Sequence, residues 1–147
     1  MRGCFSGRGI GNVEIFTGIL DADMMKRILQ THLLPSANRL FPVGRWWFQW
    51  DNDPKHTSKK VSDWLFSKGI QLIDFPPYSP DLNPIENLWN DLKRRVERRN
   101  AQNTEQLILH IKEEWEGTSR ELLKKLSHGM KKRCQLLINN RGHKIDY

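Results

Sequence analysis

Two carboxylates stand out for their settings. Asp51 closes the aromatic run Arg45 to Trp50 and opens Asp51-Asn52-Asp53-Pro54-Lys55-His56-Thr57. Glu86 lies within Ser79-Pro80-Asp81-Leu82-Asn83-Pro84-Ile85-Glu86-Asn87-Leu88-Trp89, with 34 residues between the two acids. Carboxylate oxygens suit hard divalent cations such as Mg²⁺, which keep several waters. A pair of such ions about 4 Å apart is what phosphodiester cleavage and transfer require. Each acid also has a purely structural role open to it. Asp51 can start a turn, since Asp, Asn and Pro are turn residues. Glu86 can close a capping box on Asn83, with Pro84 at the first helical position, worth ~1 kcal/mol.

Positioning these acids falls to the elements around them. Residues 11 to 18 are bounded by glycines and read as a short strand. A helix is expected from about Asp21, with Met24, Met25, Ile28 and Leu29 as its apolar stripe. Arg45 to Trp50 is strand-like, with Trp46, Phe48 and Trp50 on one face and Trp47, Gln49 and Asp51 on the other. Lys59 to Lys68 reads as a helix that turns Val61, Trp64 and Leu65 inward and stops at Gly69. Ile70 to Phe75 is a further strand, closed by Pro76-Pro77. From Pro84 a helix carries Ile85, Leu88, Trp89, Leu92 and Val96 on one face, with Glu86, Asn90 and Lys93 on a polar stripe beside it. Helices follow from about Thr104. The order is that of an α/β fold with crossover connections.

With 147 residues the chain suits one domain, and a net charge of +7 with a pI near 9.6 favours an acidic partner such as nucleic acid. No apolar run of membrane-spanning length and no signal-peptide pattern is evident, so no membrane partner is expected. Cys4 and Cys134 lie far apart without ligand-like spacing, which argues against a disulfide framework or zinc site and fits a reducing compartment. Lys93, Arg94, Arg95, Arg98 and Arg99 prolong the Glu86 helix, and Lys131-Lys132-Arg133 forms a second basic cluster. Both can contact phosphates. Both can equally be solvated helix faces, interleaved with Glu97, Glu113, Glu114 and Glu116.

Asp-Asn-Asp-Pro-Lys-His-Thr followed by Pro-Pro-Tyr-Ser-Pro-Asp-Leu-Asn-Pro-Ile-Glu-Asn-Leu-Trp closely resembles the Tc-like branch of the mariner-superfamily DDE transposases. The resemblance extends to Gly3-Cys4-Phe5-Ser6, to Leu33-Leu34-Pro35, to Met130-Lys131-Lys132-Arg133-Cys134 and to the stretch from Gly142 to Tyr147. It implies an α/β, RNase H-like fold over residues 1–147, a single partial catalytic domain with a helical C-terminal segment from about 100. It implies Asp51 and Glu86 as the second and third metal ligands for Mg²⁺ or Mn²⁺, with Asn52 and His56 as neighbours of the site. The family's first acid lies on a central strand upstream of the Gly-Cys-Phe-Ser block, so the fold is expected to be N-terminally truncated, with that strand missing. Glu14, Asp21 and Asp23 do not replace the acid; the two aspartates match a helix start, where acids are favoured by the dipole.

Expected function follows from the resemblance: metal-dependent DNA strand cleavage and transfer, DNA integration and a nuclear location, in a chain inactive alone. The alternative is a non-catalytic nucleic-acid-binding or interaction module derived from a transposable element. DNA is the implied partner, with a homo-oligomer or strand complementation by another chain completing the sheet.

Overall fold

The computed structural model describes residues 1–50, 58–76 and 79–143. Asp51, Asn52, Asp53 and His56, with Pro77 and the stretch from 144 to 147, lie outside the described residues.

The chain opens with an antiparallel hairpin of β1 (Arg2–Ser6) and β2 (Gly9–Glu14). This corrects the expected strand at 11 to 18: β2 begins two residues earlier and stops at Glu14. β1, carried in the sequence only by a motif block, is a strand in its own right. From Gly3 to Phe5 the partners run from Val13 to Ile10, so β2 holds one extra residue. Such a bulge frees backbone groups from the ladder. They are taken up elsewhere: Asn12 N–H donates to Ser36 Oγ at 2.8 Å, and the Gly11 carbonyl accepts from Trp115 Nε1 at 2.8 Å. A Cβ at Gly11 would collide with Cys4 Sγ and come 2.8 Å from the Cys4 carbonyl, so this position has no room for a side chain.

Next comes one long helical stretch in three parts: α1 (Ala22–Ile28), a π-helical turn (Leu29–Leu33) and α2 (Leu34–Leu40). Asp21 caps it, accepting from Met24 N–H at 2.8 Å. The sequence places the helix end before Leu33-Leu34-Pro35, and the structure instead runs on through Pro35. Proline lacks an N–H and crowds the preceding turn. The wide π turn just ahead of it, where Leu34 N–H reaches the Leu29 carbonyl, accommodates both defects. It also tunes the apolar stripe. Four-residue steps over-rotate an α-helix by about 40° each, and under-winding at the π turn keeps Met25, Leu29, Leu33 and Ala37 buried together.

β3 (Trp47–Phe48) and β4 (Gln71–Leu72) pair in parallel, joined by a crossover that contains α3 (Lys59–Ser67). Both strands are shorter than the sequence suggests, although Ile73 N–H still donates to the Phe48 carbonyl at 3.0 Å. The expected alternation holds: Trp50 is buried, Trp46 and Phe48 pack on the same core, and Trp47 is 63% exposed. α3 buries Val61, Trp64 and Leu65 as expected. It ends with Gly69 at φ +65°, Gly69 N–H on Phe66 O and Ile70 N–H on Leu65 O, the paired bonds of a Schellman stop.

The remainder is helical: α4 (Pro84–Glu97), α5 (Thr104–Glu116), α6 (Arg120–His128) and α7 (Met130–Asn139). Two main apolar clusters result. One gathers α1, the π turn, α3 and Trp50; the other gathers Leu88, Leu92, Val96, Trp115, Leu123 and Leu126 beneath the hairpin. The described strands form two separate two-stranded sheets, β1–β2 and β3–β4, rather than one. Among the described residues no helix is long and apolar enough to cross a membrane.

Burial also sets thiol chemistry. Desolvation pushes the Cys4 thiol above its ordinary range, against smaller opposing effects of a Ser36 hydrogen bond and the Arg39 charge. Cys134 is exposed. A raised pKa leaves less thiolate at pH 8, and only thiolate attacks an alkylating agent. Iodoacetamide at pH 8 should therefore label Cys134 well before Cys4 in the folded chain, as read by peptide mass mapping. Equal rates at the two sites would contradict this packing.

Candidate active site

The approach to Glu86 is shaped by prolines. Pro80 starts a 3₁₀ turn (Pro80–Leu82) that buries Leu82, and Pro84 takes the first position of α4, where a missing N–H costs nothing. Asn83 between them is the N-cap, its side chain accepting from Ile85 N–H at 3.4 Å. The capping box expected from the sequence is not made. Asn83 N–H, the group Glu86 would have to bond, already donates to the Pro80 carbonyl at 3.0 Å in the 3₁₀ turn. Glu86 is exposed in the first turn of α4, and its carboxylate has no hydrogen-bond or ion-pair partner among the described residues. The helix N-terminus favours a negative charge at this position.

Two residues that sequence reasoning did not assign to the site hold this turn in place. Arg133 of α7 is 1% exposed and straddles Glu86: Nη1 donates to the Asp81 carbonyl at 3.1 Å, and Nη2 to Asn87 Oδ1 at 2.7 Å. An arginine buried this deeply is rare unless paired. Gln49, next to β3, donates from Nε2 to the Leu82 carbonyl at 3.5 Å. Arg133 sits inside a basic motif block, where no sequence signal separates a buried arginine from solvated neighbours. Gln49 was legible only as a residue on the same strand face as Asp51.

Glu86, Asn83 and Ile85 open onto a cavity of about 440 Å³ that Gln49 and Trp50 also line. The stretch leading to Asp51 and the turn bearing Glu86 therefore border the same space. Asp51, Asn52 and His56 themselves lie outside the described residues. Among the described residues no group of three or more His, Cys, Asp or Glu gathers as a metal cage would need. What is present fits a hard cation in kind: a carboxylate, exposed and uncommitted, with room for the waters that Mg²⁺ or Mn²⁺ retains.

The basic residues on α4 separate. Arg95 is consumed within the fold, donating to Asp91 at 2.9 Å, to the Glu114 carbonyl at 2.6 Å, to Glu114 Oε2 at 2.9 Å and to Thr118 Oγ1 at 3.0 Å. Arg99 joins the same clamp between α4 and α5, meeting Glu113 at 2.6 Å and Glu114 at 3.5 Å. Arg94 reaches only Asp91 at 3.3 Å, and Lys93 lies 3.9 Å from Glu97 with both exposed. Arg98 is exposed. Lys93, Arg94 and Arg98 therefore present charge to solvent, whereas Arg95 and Arg99 tie helices together.

The family model for DDE superfamily endonucleases matches residues 1–108, a span that contains both candidate acids. The chain belongs to the DDE superfamily endonucleases. As a DDE endonuclease it is 37% identical over 146 residues to the Tc1 transposase of Caenorhabditis elegans, covering 99% of this chain and 53% of that relative. The Tcb1 transposase of Caenorhabditis briggsae is 35% identical over the same coverage. The chain thus spans about half the length of these curated relatives. The crystal structure of the Mos1 mariner paired end complex with Mn superposes with a TM-score of 0.85 at 21% identity, over 95% of this chain and 43% of that one. That match gives this DDE endonuclease the RNase H-like fold expected from its motifs, and the resemblance to Tc-type transposases is borne out.

Proposed function

We propose that this chain supplies the Asp51 and Glu86 ligands of a transposase-type site for cutting and joining DNA strands. One observation carries the reading: the Glu86 carboxylate is released from its capping role and faces the cavity bordered by the stretch leading to Asp51. Bound Mg²⁺ or Mn²⁺ would activate the attacking oxygen and steady the leaving oxygen of a phosphodiester. The protein's own task is to hold the ligands. Arg133 and Gln49 fix the turn that aims Glu86, and Asn52 and His56 are placed by motif beside the ligands. Residues 1–147 act as one partial catalytic domain whose first acid and central strand are supplied from elsewhere, so the chain alone is inactive in complete transposition. A homo-oligomer or strand complementation by another chain would complete it, in the nucleus where the DNA lies.

Binding of DNA through Lys93, Arg94 and Arg98 supports a second reading, a non-catalytic module that engages DNA without metal. Replacing Arg94 and Arg98 together by glutamate should weaken binding to any duplex. The slope of log affinity against log salt should flatten by about 0.9 for each phosphate that is no longer neutralised. Fluorescence anisotropy across a salt series measures both. Unchanged affinity and slope would remove this helix from the DNA interface. Metal-independent binding without metal-dependent nicking at any protein concentration would favour the module over the enzyme.

A further inference from the structure

Among the described residues β1 pairs only with β2 and β3 only with β4, so each ladder is open on its other side. Both open ladders face one space. Gly3 and Phe5 of β1 and Trp47 and Phe48 of β3 line the same cavity of about 440 Å³. A strand edge presents a row of N–H and C=O groups that need partners when shielded from water. The other walls are apolar and come from both main clusters: Met25 and Leu29 from one, Trp89 from the other. A small ligand would fill such a space but would leave the two backbone rows unmet. An extended chain meets both rows and both apolar walls at once.

We propose that the space between β1 and β3 is a strand-acceptor slot. Its occupant is an extended, mainly apolar segment from the part of a Tc-type transposase that this chain does not span. Inserted there, the segment hydrogen-bonds to both edges and joins the two two-stranded sheets into one of five strands. β1 is five residues long, so the paired stretch is about five residues, roughly 17 Å. Buried on both faces, the segment is a near-continuous apolar run rather than an alternating one. The relatives have the length to supply it, since this chain matches only 53% of the Tc1 transposase of Caenorhabditis elegans. The inference rests on the strand-complementation part of the reading above, but needs neither metal nor DNA.

The test uses the whole chain in EDTA. Overlapping twelve-residue synthetic peptides covering the unmatched part of Tc1 transposase are added one at a time. Tryptophan fluorescence is a direct reporter, because Trp46, Trp47, Trp50 and Trp89 all line the slot. One contiguous stretch of sequence should bind. At a hundredfold excess over Kd it should raise the melting temperature by roughly 5 °C or more. Amide exchange should slow in both Arg2–Ser6 and Trp47–Phe48, and Cys4, which also lines the slot, should become still less reactive. Two N-methylated versions decide the geometry, one blocked at odd and one at even residues, because successive N–H groups of a strand point to opposite edges. Each should bind roughly tenfold more weakly or worse. Binding that survives one methylated series, or protection of one ladder alone, means addition to a single edge and overturns the slot. Absence of binding by every peptide overturns it as well. Because no metal or DNA is present, none of these outcomes depends on whether Glu86 is a metal ligand.

Discussion

Replacing Glu86 by glutamine should abolish the rise in melting temperature produced by millimolar Mn²⁺. It should also cut Mn²⁺-dependent nicking of supercoiled DNA by about 10³-fold, the equivalent of about 4 kcal/mol of barrier. The substitution keeps size and polarity and removes only the charge. It should leave the metal-free fold intact, because the carboxylate makes no capping bond: Asn83 N–H is already held by the Pro80 carbonyl. Glu97 to glutamine is the matched control, on the same helix with only an exposed 3.9 Å approach to Lys93. Metal response lost in Glu86→Gln and kept in Glu97→Gln identifies a ligand. Equal loss in both would mean that the ion merely screens surface charge. A full response in Glu86→Gln would remove this residue from the site.

The second large effect is on stability. Trp115 is 1% exposed, donates from Nε1 to the Gly11 carbonyl at 2.8 Å, and stacks on Trp89 with ring centroids 4.8 Å apart. It joins the C-terminal helices to the bulge in the N-terminal hairpin across 104 residues of sequence. Trp115→Ala should cost about 3–5 kcal/mol, a large share of the ~5–15 kcal/mol that holds a typical domain together. Trp115→Phe keeps most of the apolar bulk but strands the Gly11 carbonyl, and should cost about 1–3 kcal/mol. Urea unfolding followed by circular dichroism orders the two against Trp47→Ala, whose ring is 63% exposed. Should Trp115→Ala prove no worse than Trp47→Ala, the hairpin does not dock on α5 as described.

Helices with a clear apolar period were readable from sequence nearly to the residue. α3 and α4 bury Val61, Trp64, Leu65, Leu88, Leu92 and Val96, all positions that the period marks. Strands were read poorly for a physical reason. β3 and β4 each have one partner, so only two residues of each form a ladder, although the aromatic run extends further. β1 escaped notice because Arg-Gly-Cys-Phe-Ser has no alternation. Its Gly3 lies under the rings of Trp115 and Trp89, a contact that only tertiary structure reveals. At the candidate site, local sequence pointed to Asn83 as the cap and was right. It also pointed to Glu86 as the box closure, where the 3₁₀ turn competed for the same N–H and won. Arg95 and Arg99 illustrate the same limit: a run of basic residues does not say which of them meet Glu113 and Glu114 on another helix.

The π turn at Leu29–Leu33 has a bearing on how this chain can vary in length. A π turn is an α-helix with one residue too many, held by the longer bond from Leu34 N–H to the Leu29 carbonyl. Deleting a residue there regularises the helix and leaves Met25 and Ala37 each facing its own neighbours. Deleting one residue from the middle of α4 instead turns everything beyond it by about 100° and pulls Leu92 and Val96 out of the core. Aligned copies of such a sequence can therefore carry a one-residue gap between Leu29 and Leu33 as a neutral difference, whereas the same gap between Leu88 and Val96 would mark a copy that has stopped folding.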